Sequence, residues 1–228
     1  MKHALKIGDV ARIGIFVHWT FFLMLVGLFA FYLYQGATPA AALSGVGLVS
    51  AVFVCVVLHE LGHALTARHF GIPTLDITIY PIGGIARLEG IPREPRQEFW
   101  IAIAGPAVNL VIAGVLFLFN LATGQPTGML SVLQAATSIP GLLMWLNLSL
   151  VGFNMLPAFP MDGGRVLRAG LATQMDYVRA TRIAAYVGQG MAVLFGLYGL
   201  WIVNPVLLFI AAFVFLGARQ EAQQVGQE

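Results

Sequence analysis

Charge is scarce in this chain, and the scarcity excludes more than any motif does. Of 228 residues only 10% are Asp, Glu, Lys or Arg, against about 25% in a soluble globular domain. With 59% hydrophobic residues and a mean hydropathy of +0.85, a water-soluble fold is excluded and a membrane-embedded one is required. The formal net charge is +2 and the basic residues form no cluster, which argues against nucleic acid as a partner. The one cysteine, Cys55, lies inside an apolar run and leaves no internal disulfide. Neither a long repeat nor a low-complexity linker is visible, and no cleavable leader either. Lys2, Lys6 and Arg12 precede an apolar run long enough to be a retained anchor. The expectation is a single membrane domain, 1–228.

What is present is apolar and segmented. Six segments, at about 13–34, 43–67, 99–122, 139–156, 183–203 and 205–217, predict an all-α polytopic membrane protein with about six transmembrane helices. The last two come from Ile183–Gly217, too long for one span, and Asn204-Pro205 is the natural break. The connections Gln35–Ala42 and Thr123–Ser138 carry no charge. All 12 Lys and Arg therefore fall on one side: at the N-terminus, in Arg68–Arg96, in Arg165–Arg182 and at Arg219. Positive residues mark the cytoplasmic face, so both termini and both charged loops are expected there, with the acidic residues beside them. The tail Arg219–Glu228 reads as polar and frayed.

Between spans two and three, Asp76-Ile77-Thr78-Ile79-Tyr80 alternates like a half-buried strand. Pro81-Ile82-Gly83-Gly84 offers a turn and Ile85–Leu88 a returning strand. A small membrane-associated β-hairpin is expected, the alternative being an irregular interfacial loop. A strand edge suits a protease, because an extended peptide pairs its backbone with one. Ile77, Ile79, Gly83 and Gly84 are the candidate pairing positions.

The second apolar run ends in His59-Glu60-Leu61-Gly62-His63. Residues four apart share a helix face, so His59 and His63 can offer two imidazoles to one metal ion. Glu60 beside them can take a proton from an activated water. Ionisable groups at membrane depth are costly and usually functional, although a helix end emerging into water would look similar. A catalytic zinc needs a third protein ligand. Acidic residues downstream are few, and the best candidate is Asp162, after Pro157 and Pro160 and before Gly163-Gly164. The prolines should unwind the end of span four. Taken alone, that run is equally a loop with an Asp-Gly turn.

Helical His-Glu-x-x-His combined with Asn154-Met155-Leu156-Pro157-Ala158-Phe159-Pro160-Met161-Asp162-Gly163-Gly164 resembles the site-2 protease family of intramembrane zinc metalloproteases. The similarity extends to His18-Trp19-Thr20, Tyr80-Pro81-Ile82-Gly83-Gly84 and Gly105-Pro106-Ala107-Val108-Asn109, in the family's order. It points to the compact six-span branch, here without CBS or PDZ domains. The resemblance implies one zinc ion per chain held by His59, His63 and Asp162, with Glu60 as general base. It places Asn154 near a substrate carbonyl or its oxyanion, and Asn109 and Gly105 in a substrate-positioning motif. For the two asparagines the alternative is an interhelical hydrogen bond. Implied partners are transmembrane protein substrates, the lipid bilayer and a regulatory membrane protein. The competing classes are a membrane metal-ion transporter, which commonly carries paired broken helices, and a catalytically silent substrate-binding scaffold.

Overall fold

The computed structural model describes residues 4–90, 94–130 and 138–225. Parts of the expected Arg68–Arg96 and Thr123–Ser138 connections, and the ends of both termini, lie outside the described residues. Along the chain run β1 (Ala4–Val10), β2 (Ile13–His18), α1 (Trp19–Tyr34), α2 (Pro39–His69), β3 (Thr74–Tyr80) and β4 (Gly83–Leu88). They are followed by α3 (Pro95–Ala122), α4 (Ile139–Asn154), α5 (Asp162–Ala172), α6 (Tyr177–Trp201) and α7 (Pro205–Val225). The chain divides into two compact units, Met1–Ile91 with Ala107–Leu150, and Pro92–Pro106 with Val151–Glu228.

The first unit contains a four-stranded sheet in the order β1-β2-β3-β4. The expected hairpin is its β3–β4 half, paired antiparallel from Thr74↔Leu88 to Tyr80↔Gly83. The other half was not expected. Ile13–His18, read as the start of the first span, is strand β2, and it pairs in parallel with β3 from Gly14↔Asp76 to Val17↔Ile79. The helix starts only at Trp19, where His18 accepts the Thr20 amide as N-cap. Ile13, Ile15, Val17, Ile77 and Ile79 form the apolar face of the sheet, packed with Phe21 against Leu61 and Ala64 of α2. β3 is buried on both faces rather than half-buried, because its polar residues Asp76 and Thr78 are also covered. Their polarity is met locally: Thr78 Oγ1 donates to Asp76 Oδ1 at 3.3 Å and Arg87 Nε at 3.0 Å.

In the second unit α6 and α7 form a helical hairpin broken at Asn204-Pro205, where Asn204 Oδ1 accepts the Leu207 amide at 3.1 Å. Small residues are buried in both helices, Ala180, Ala184, Ala185 and Ala192 of α6 and Ala211 and Ala218 of α7, and Gly196 lies beside Ala211, allowing close helix approach. The last helix continues through Val225. The expected sixth segment, 205–217, is thus extended, and Arg219–Val225 is helical rather than frayed. Four helices, α2, α3, α6 and α7, are long and apolar enough to cross a membrane, while α1 and α4 are shorter apolar helices of 16 residues. Leu110, Val115 and Leu118 of α3, and Leu194, Leu197 and Trp201 of α6, are more than half exposed, as lipid-facing side chains are.

Candidate metal centre and active site

The sheet sets the rotation of α2 at the turn that matters. Leu61 and Ala64 are held against β2 and β3, so His59 and His63, on another face of the same turn, point away from the sheet. Both imidazoles are buried, 6% and 4% exposed. Their Nε2 atoms lie 3.1 Å apart with ring planes at 83°. Two nitrogens at about 2.0–2.1 Å from a tetrahedral zinc stand roughly 3.3 Å apart, so the pair fits one shared ion. His59 Nδ1 is 2.6 Å from Asn109 Oδ1. An amide oxygen only accepts, so Nδ1 carries the proton and Nε2 keeps its lone pair, the arrangement a ligating histidine needs.

Asn109 makes the interhelical hydrogen bond that the sequence left open as the alternative to substrate positioning. It is fully buried, its oxygen is engaged by His59, and its Nδ2 donates to Asn147 Oδ1 at 2.8 Å. It holds a candidate ligand. Asn147, also fully buried, was not singled out from sequence. The signal that could have found it is an amide at mid-run in an apolar helix, where an unmatched polar group is costly. Gly105 is buried within α3, one turn before Asn109.

Glu60 lies against β4. A Cβ on Gly84 would come within 2.8 Å of Glu60 Cγ and 3.2 Å of Val56 Cγ1. Gly83, at φ +141°, takes a conformation that other residues rarely adopt. The two glycines let the strand start and pass this close to the helix. Ile77 and Ile79 do not suit strand addition: β3 pairs with β2 on one side and β4 on the other, so its backbone is already used. Among the described residues β4 pairs on one side only, and it is the strand beside Glu60. Arg87 of β4 bonds Asp76, and that hydrogen bond, ahead of other influences, raises the guanidinium pKa.

In the second unit, Asn154 ends α4 half-buried, and Pro157 and Pro160 carry an irregular loop to α5. Asp162 is the first residue of α5, with Met161 as N-cap, and is 8% exposed. Peptide dipoles at a helix N-terminus favour its ionised carboxylate. Gly163 and Gly164 do not make the sharp turn their sequence suggested. They sit inside the first turn of α5, where a Cβ would lie 2.2 Å from Leu156 O and 2.7 Å from Ala158 C. They are needed because the preceding loop folds back over them.

Further along α5, Arg168 is 2% exposed and had gone unnoticed in the sequence. Its Nε donates to Glu98 Oε1 at 2.8 Å, its Nη1 reaches Glu221, and its guanidinium lies 4.9 Å from the centroids of both Phe159 and Tyr177. Burial opposes its charge, but Glu98, with Tyr177 and Glu221, outweighs that and raises its pKa. A permanently charged arginine thus ties α5 to α3 and α7.

Two buried imidazoles, one of fixed tautomer, and a buried carboxylate are donor types that zinc accepts. Residues 47–138 and 122–195 match the model of peptidase family M50. The chain belongs to that family. A zinc metalloprotease of Methanocaldococcus jannaschii is 37% identical over 228 residues, all of this chain and 63% of that protein. Stage IV sporulation protein FB of Bacillus subtilis is 27% identical over 166 residues, 72% of this chain and 54% of that protein. The M50 chain thus spans less than two thirds of either curated relative. A solved structure, the site-2 protease from Methanocaldococcus jannaschii, matches with a TM-score of 0.67 at 35% identity, over 96% of this chain and 95% of that one. This M50 chain therefore has the site-2 protease fold and is a multi-pass membrane protein.

Proposed function

We propose that this M50 chain is an intramembrane zinc metalloprotease that hydrolyses peptide bonds within or near transmembrane segments of membrane proteins. The observation that carries the reading is the buried pair His59 and His63, facing each other through Nε2 with the first held in the ligating tautomer beside Glu60. The proposed donors for one zinc ion are His59, His63 and Asp162, all buried, and 1–228 acts as one catalytic domain. When bound, zinc supplies Lewis acidity, acidifying a water and polarising the scissile carbonyl. Glu60 accepts the proton that the water loses and returns it to the leaving amine. Asn154, at the head of the loop leading to Asp162, is assigned to the substrate carbonyl, and Gly105, with Asn109, to substrate positioning.

Exposing a substrate helix backbone to lipid costs several kcal/mol per group. An unwound segment therefore needs backbone partners, and the outer edge of β4 beside Gly83 and Gly84 is the proposed one. The proposed orientation has both termini and the active-site end of α2 on the cytoplasmic side of the cell membrane, a reading that the one-sided charge pattern supports. Transmembrane substrates, the surrounding bilayer and a regulatory membrane protein are the proposed partners.

Glu60→Gln keeps the side-chain shape but cannot take the proton. Purified Glu60→Gln protein should retain its zinc while cleavage of a single-span substrate falls about 10²- to 10⁴-fold. Asp162→Ala should instead lose zinc to a chelator that leaves the wild type loaded. Wild-type protein that moves zinc across vesicles and cuts none of a panel of single-span substrates would establish the transporter class instead.

A further inference from the structure

The bond between Asn109 and His59 needs a cause, because an amide can present either end. The cause lies in α4. Asn147 Nδ2 donates to Leu143 O at 2.8 Å and lies 3.4 Å from Cys55 Sγ. Leu143 O is a backbone carbonyl and can only accept, so the amino end of Asn147 must point there. Its Oδ1 then faces Asn109 and accepts from Nδ2 at 2.8 Å. With its amino end committed, Asn109 has only its oxygen for His59 Nδ1, at 2.6 Å. One backbone carbonyl thus sets the direction of every bond up to the imidazole. Asn147 and Asn109 are fully buried, so water has no access to reverse the sequence. Asn147 also meets α2 at Cys55, one turn before His59.

We propose that Asn147 is a positioning residue for the metal centre: it fixes the Asn109 amide and through it the Nδ1-protonated, Nε2-ligating tautomer of His59. The inference rests on the zinc reading of His59 and His63. It concerns zinc affinity, because the tautomer that bonds Asn109 is the one that binds through Nε2. Outer hydrogen-bond partners of metal ligands are worth about 10- to 100-fold in affinity.

The test uses the full chain with zinc competition against a chelator, and ¹⁵N-histidine spectra of the zinc-free protein, with His59→Ala assigning the His59 signals. Asn147→Leu removes both bonds and should weaken zinc binding about 10- to 100-fold, with His59 leaving the single Nδ1-protonated form. Asn147→Ser, smaller and able to bond the Leu143 carbonyl itself, should show the same loss and serves if the leucine variant does not fold. Asn147→Asp, neutral at this depth, donates its O–H to Leu143 O and accepts from Asn109, so it should restore both affinity and tautomer. Wild-type zinc affinity with an unchanged His59 in Asn147→Leu or Asn147→Ser overturns the proposal. So does failure of Asn147→Asp to rescue, which would mark a packing role only. If His59→Ala binds zinc like the wild type, the metal reading itself falls, a result distinct from failure of the relay.

Discussion

Glycine at position 84 has a function that its sequence neighbours do not explain. Its missing side chain is what allows Glu60 Cγ to sit where a Cβ would be 2.8 Å away. The atom in conflict is near the root of the glutamate side chain rather than its flexible end, so Glu60 rather than Gly84 must yield. Gly84→Ala should therefore displace the carboxylate without touching His59, His63 or Asp162. Misplacing a catalytic group by about 1 Å can cost on the order of 10²-fold. The expected outcome is wild-type zinc content with cleavage reduced by that order. Loss of zinc in step with activity would show instead that the substitution disturbs α2 as a whole. Gly83→Ala differs in kind: its φ of +141° strains any side chain, and the effect should be on the β3–β4 turn and hence on stability.

Elements were legible in the sequence where a local pattern decides them. α2, α3 and the break at Asn204-Pro205 follow from apolar runs and from proline chemistry, and His59, Glu60 and His63 from helical spacing. The β3–β4 hairpin followed from alternation and its glycines. β2 did not, because Ile13–His18 is as apolar as the helix it leads into. Only its parallel pairing with β3, some 60 residues on, makes it a strand. α5 was hidden for a similar reason: Asp162-Gly163-Gly164 reads as a turn, and the loop that packs over the glycines is what makes it a helix start. Arg168, in the same helix, looked like one more cytoplasmic charge. It is instead the buried link from α5 to Glu98 and Glu221. Removing one member of a buried ionic network costs about 3–5 kcal/mol, while replacing the set by neutral groups costs far less. Arg168→Met should lower the unfolding midpoint of the purified protein clearly. Arg168→Met combined with Glu98→Gln should recover much of the loss, because Glu98 is no longer left charged and buried. Additive losses in the double variant would contradict the buried-pair account.

For the molecule as a whole the deciding quantity is where charge is tolerated. Gln35–Ala42 and Thr123–Ser138 carry none, while the N-terminal segment, the stretch Arg68–Arg96, the stretch Arg165–Arg182 and the C-terminal helix carry all 12 basic residues. Among the described residues, only four helices pass on length and apolarity alone. A helix of 16 residues is about 24 Å long, short of a hydrocarbon core of about 30 Å. Whether α1 and α4 cross is therefore a question for topology, not for length. Crossing by α1, by α4 and by the four long helices would leave Gln35 on the side opposite both termini. Gln35 and Gln223 are each exposed, so Gln35→Cys and Gln223→Cys give clean reporters, and Cys55 is buried and can stay. In intact cells a membrane-impermeant maleimide should label Gln35→Cys and leave Gln223→Cys untouched until the membrane is opened. Inverted vesicles should reverse the pattern. With α1 crossing, labelling of both positions from the same side would mean that α4 does not cross. The positive residues at the N-terminus would then lie opposite those near the C-terminus, and charge asymmetry would no longer orient this chain.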